Sequence, residues 1–67
     1  MEYTNSQMRA LIGEHIHSQR DREIMSLRLI EGYTLEKVAE TVDMSTVQIK
    51  RIVKREQNKL SRYVNDT

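Results

Sequence analysis

No proline interrupts this chain of 67 residues, and glycine stands at only two positions, Gly13 and Gly32. These two residues are the strongest local breakers of regular structure, and a many-stranded sheet needs them at its turns. A short chain so poor in breakers is confined to helices joined by tight connections, so the expectation is an all-α fold. Cysteine is absent as well. With no disulfide and no Cys/His cluster for a structural metal, the chain lies near the lower size limit for a self-sufficient core. Well-packed helices or pairing with a second copy remain as sources of stability, and a homodimer is a candidate assembly.

Periodicity places four helices. Met8, Leu11, Ile12 and Ile16 form one apolar stripe and predict a first helix over about residues 6–17, capped by Asn5 or Ser6. Ser18 opens a second helix over about residues 19–31, with Asp21 near the positive end of its dipole. Ile24, Met25, Leu27 and Ile30 supply its apolar face, and Gly32 ends it in the left-handed conformation. Thr34 caps a short third helix, about residues 35–42, whose Leu35, Val38, Ala39 and Val42 line one side. Asp43-Met44 then reads as a tight turn, because aspartate tolerates left-handed geometry. Ser45 and Gln48 make a capping box for a fourth helix reaching about residue 62, beyond which the chain is expected to fray from about Val64.

On that fourth helix Ile49, Ile52, Val53 and Leu60 share one side, and Tyr63 and Val64 extend the stripe. Val47, Arg51, Lys54, Asn58 and Arg62 project nearly opposite. Glu56 falls on the inward side, where an unpaired carboxylate is costly, so a partner is expected from the second helix, Arg28 or Arg22. The whole chain, residues 1–67, reads as a single four-helix, helix-turn-helix domain, with the helix-turn-helix proper over about residues 34–62. In this arrangement Ala39 permits a close helix crossing, and Met44 plugs the turn into the core. The first turn of the fourth helix then faces outward, where it can enter a major groove about 12 Å wide.

A net charge of +1 hides a strong segregation. Residues 1–44 carry five bases and eight acids, whereas residues 45–62 carry six bases and one acid. Such segregation suits a polyanionic partner such as double-stranded DNA, although on charge alone a solvated helix face accounts for it equally well.

The runs Arg22-Glu23-Ile24-Met25-Ser26-Leu27-Arg28-Leu29, Gly32-Tyr33-Thr34-Leu35-Glu36-Lys37-Val38-Ala39-Glu40 and Ser45 to Leu60 resemble region 4 of bacterial sigma-70-type factors over about residues 20–62. The LuxR-type regulator domains share much of the pattern. The resemblance implies recognition of the promoter −35 element and contact with core RNA polymerase. It also implies which positions read bases: Thr46, Val47 and Arg51 stand where the family commonly has arginine, glutamate and glutamine, and Asp43 stands where it has a turn glycine. Thr46 and Val47 offer methyl contacts to thymine, Arg51 suits guanine, and Lys50, Lys54 and Arg55 suit phosphates. The usual −35 sequence is therefore not carried over. The chain has no room for the sigma domain that melts the −10 region, and its stand-alone size points to a regulator of phage or mobile-element type.

Other chemistry is expected to be absent. No phosphate loop, nucleophile elbow or convergent carboxylates stand out, which argues against an enzyme, a catalytic residue or a cofactor. His15 and His17 face different directions on the predicted helix without a third ligand, which argues against a metal. Tyr3, Tyr33 and Tyr63 are too dispersed to stack single-stranded bases; Tyr33 is expected behind the helix-turn-helix, and Tyr63 at the core or a dimer seam. No apolar run approaches the roughly 18 residues of a membrane span. The start Met1-Glu2-Tyr3-Thr4 lacks signal-peptide features, so a cytoplasmic protein is expected. The competing reading is a protein-interaction module that docks on RNA polymerase, as a sigma-like co-regulator or decoy with little DNA affinity of its own, and the acidic residues 14–40 would suit such a contact.

Overall fold

The computed structural model describes residues 3–64 and contains four helices: α1 (Asn5–His15), α2 (Gln19–Leu29), α3 (Leu35–Val42) and α4 (Thr46–Val64). Each starts at a hydroxyl side chain that satisfies an orphan amide. Ser18 Oγ accepts from the Asp21 amide at 3.3 Å, and Thr34 Oγ1 accepts from the Lys37 amide at 3.1 Å. The first cap is Thr4, not Asn5 or Ser6. Its hydroxyl accepts from the Gln7 amide at 3.1 Å while Gln7 Oε1 accepts from the Thr4 amide at 2.9 Å. Only Thr4 has a glutamine three residues on, which is what a reciprocal capping box requires.

Both early helices stop about two residues before the positions predicted for them. Ile16 turns extended (φ −110°, ψ 117°) and drops its fully buried side chain into the core, which ends α1 and leaves His17 outside it. Arg22 reaches back from α2 to cover the freed carbonyls, donating to Ile16 and, at 3.0 Å, to Gly13. At the end of α2, Gly32 adopts φ +76°, which lets the Tyr33 amide turn back onto the Leu27 carbonyl at 3.0 Å. Arg28 then donates to the Tyr33 carbonyl at 2.8 Å. Arg22 and Arg28 are thus spent on backbone carbonyls, and neither pairs with Glu56.

Helix α4 packs against each of the other three helices, and α2 packs against α1 and α3, while α1 and α3 make no contact among the described residues. Ile12, Ile16, Ile24, Met25, Val38, Ala39, Ile49, Ile52, Val53 and Leu60 form one buried cluster, against which Tyr33 and Met44 are packed. Tyr63 does not close this core. It is 53% exposed and stacks its ring on His15, with centroids 3.6 Å apart and planes at 8°. Helix α4 runs to Val64, about two residues past its predicted end, and the rest of the stretch expected to fray, residues 65–67, lies outside the described residues. Among those described, no helix is long and apolar enough to cross a membrane.

Gly13 plays no part in helix crossing, since a Cβ built there meets nothing within 4 Å. Gly13→Ala should therefore add up to about 1 kcal/mol through helix propensity alone. A thermal melt should rise by roughly 4–8 °C; a fall would mean that the site is more crowded than this packing allows.

Candidate nucleic-acid interface

The connection between α3 and α4 sets the aim of α4. Asp43 adopts the left-handed conformation (φ 59°, ψ 50°), so the Met44 amide can close on the Ala39 carbonyl at 2.9 Å. Ser45 then caps α4: its hydroxyl accepts from the Gln48 amide at 3.2 Å, and its own amide donates to Gln48 Oε1 at 3.3 Å. With the inner stripe of α4 buried, its first turn is left at the surface. On a projection of about 100° per residue, Val47, Arg51, Lys54 and Asn58 fall within about 60° of one another. All four are exposed, whereas Thr46 is half-buried.

Two buried carboxylates divide the cations of α4 into two groups. Asp21 on α2 is 2% exposed and Glu56 on α4 is 4% exposed. Arg55 donates to Asp21 Oδ2 and lies 3.3 Å from Glu56 Oε2, while Lys59 lies 3.4 Å from Glu56 Oε1. Arg20 approaches Asp21 Oδ1 at 3.5 Å. Burial acts to raise the Asp21 carboxyl, but hydrogen bonding with Glu56 and Arg55 and the charges of Arg55 and Arg20 outweigh it. The group is held below the usual carboxylate value. The bond to Asp21 raises the Arg55 guanidinium in turn. Lys59 also donates to the His15 carbonyl at 3.5 Å. Arg55 and Lys59 are therefore occupied in joining α4 to α2 and α1. Lys50, Arg51, Lys54 and Arg62 are exposed and have no ion pair or hydrogen bond among the described residues.

On the other edge of α4 lies an open groove of about 370 Å³, bounded by the end of α2 and the start of α3. Leu29, Leu35 and Val53 line it together with Arg28, Lys50 and Lys54. Its apolar and basic lining puts two of the predicted phosphate contacts, Lys50 and Lys54, beside a small open recess.

Of the residues predicted for the site, the structure gathers Val47, Arg51, Lys50 and Lys54 on one exposed surface. Thr46 sits at its margin, and Arg55 is turned toward α2. Sequence reasoning overlooked Asp21 as the acid that holds Arg55. The available signal was angular: Arg55 lies about 80° from Val47, at the flank of the basic face. Among the described residues, no group of three or more His, Cys, Asp or Glu side chains converges as a metal site would require. Residues 18–62 match the family model for sigma-70, region 4. Among curated proteins and among solved structures, none matches the chain.

Proposed function

Because the chain belongs to the sigma-70 region 4 family, we propose that it is a sequence-specific, double-stranded-DNA-binding regulator of transcription that lays α4 in the major groove. The observation that carries this reading is the set of exposed, unpaired cations Lys50, Arg51 and Lys54 around the outward first turns of a capped helix. Thr46, Val47 and Arg51 read bases; Lys50 and Lys54 anchor on phosphates. Arg55 adds less to phosphate binding than its charge suggests, because Asp21 holds it. No catalytic role and no cofactor enter this reading. A single module spans about half a turn of DNA, so selectivity at physiological salt calls for a second copy or for RNA polymerase as partner.

A second reading rests on the groove: an apolar recess framed by Arg28, Lys50 and Lys54 suits a protein contact with core RNA polymerase. Selection of the purified protein on a randomised duplex library, at two salt concentrations, separates the two. An enriched motif with steeply salt-dependent affinity supports the DNA reader, and a palindromic motif adds a dimer. Absence of binding at low salt, with polymerase still captured by an Arg51→Ala/Lys54→Ala variant, would favour the docking module.

The sorting of cations gives a contrast within this reading. Lys54→Ala should weaken binding to all duplexes and lower the salt slope by about 1 while leaving the melting temperature in place. Arg55→Ala should do the reverse, changing the melt more than the salt slope. Equal salt slopes for the two variants would return Arg55 to the phosphate contacts.

A further inference from the structure

The first turn of α4 has few groups able to hydrogen-bond with base edges. Gln48, whose amide would suit adenine, is drawn back onto the cap, its Oε1 accepting from both the Ser45 amide and the Ser45 hydroxyl. Thr46 is half-buried. Val47, by contrast, is 59% exposed and stands one turn before Arg51 on the outward face. The other large apolar side chain exposed among the described residues, Tyr63, is accounted for by its stack on His15. An isopropyl group at the leading edge of a groove-binding helix neither donates nor accepts. The base feature it favours is the C5 methyl group, which thymine carries and cytosine lacks.

We infer, on the premise that α4 enters the major groove as proposed above, that Val47 recognises a C5-methylated pyrimidine beside a guanine bound by Arg51, and that 5-methylcytosine substitutes for thymine there. Side chains four apart on a helix lie about 5–6 Å from each other, and stacked bases about 3.4 Å, so the two bases are one or two steps apart. Val47 contacts only the methyl group, so the exocyclic group at C4 matters little to it. Methylation of a cytosine at this position becomes an input to binding.

The test uses the full chain and the duplex enriched from the library, with each thymine replaced in turn by uracil, which lacks only the methyl. At one position the wild-type chain should lose about fourfold in affinity, the value of one buried methyl-sized group. Val47→Ala should bind the thymine and uracil duplexes alike; its side chain is exposed, so the fold is not at stake. With cytosine at that position affinity should fall, and 5-methylcytosine should recover about the same factor. Equal binding to thymine and uracil at every position, a uracil penalty that Val47→Ala retains in full, or 5-methylcytosine no better than cytosine overturns the inference while leaving DNA binding intact. Failure to bind any duplex overturns the functional reading itself.

Discussion

Asp21→Ala is expected to lower the unfolding free energy by about 2–3 kcal/mol, the scale of a lost buried hydrogen bond to a charged group. A domain of this length holds roughly 3–10 kcal/mol in all, so the loss is a large fraction of the total. The melt should fall by roughly 10–20 °C. The size follows from what stays behind. Removing Asp21 takes the ligand from Arg55, on a side chain 59% exposed that water can resolvate, but it leaves Glu56 buried with one fewer neighbour. Glu56 Oε1 already lacks a hydrogen-bond partner among the described residues. Glu56→Leu in the Asp21→Ala background should therefore return part of the stability, since an apolar side chain of similar size often suits a buried position better than a carboxylate, even one that keeps Arg55 and Lys59 within 3.4 Å. If the double variant melts below the single one, Glu56 stabilises the fold without Asp21, and the two acids do not form a unit.

The same pair fixes the direction of the pH response. The folded state holds the Asp21 carboxyl below its ordinary value near 3.8, so the ionised form is favoured by folding. That stabilisation is fully present above the unfolded value and is lost as pH falls through the lower folded one. Stability measured between neutral pH and about pH 5 should thus owe almost no pH dependence to Asp21. Below about pH 5, and most steeply below pH 4, the wild type should lose stability that Asp21→Asn, already deprived of the charge, no longer has to lose. Parallel acid curves for the two proteins would remove Asp21 from the account.

What the sequence reveals of this fold is mainly what is local. Ser18, Thr34 and Ser45 announce their helices because a cap acts on amides two or three residues away, and Asp43 announces its turn through its own backbone tolerance. Thr4 obeys the same rule, and its glutamine three residues on is what distinguishes it from Asn5 and Ser6 beside it. The inward placement of Glu56 is legible from helical angle alone, yet its neighbours are not. Which base reaches it depends on how α2 lies across α4 and on where each arginine finds a carbonyl. Arg22 is drawn to the end of α1 and Arg28 to the turn after α2, results of tertiary geometry that no spacing rule contains. The site divides along the same line. Lys50, Arg51 and Lys54 follow from periodicity, whereas the occupation of Arg55 by Asp21 is a contact across 34 residues of sequence.

Arg51→Ala is expected to cost about 1–3 kcal/mol on the preferred duplex, a loss of roughly 5- to 150-fold, and to flatten discrimination at one base pair. The argument rests on geometry as much as charge. A guanidinium offers two parallel donors that match the O6 and N7 acceptors of guanine, and a wrong base leaves one of them unmatched in the groove. Because Arg51 is exposed and makes no hydrogen bond or ion pair among the described residues, its removal should leave the melting temperature unchanged, which separates recognition from folding. Arg51→Lys sharpens the test. Lysine keeps the positive charge but loses the planar fork, so this variant should retain salt-dependent binding to arbitrary duplexes while losing preference at the same base pair. Should lysine restore full affinity on the preferred site, or should alanine weaken every duplex equally, Arg51 touches phosphate. Specificity would then rest on the apolar first turn and on whatever partner holds α4 in its groove.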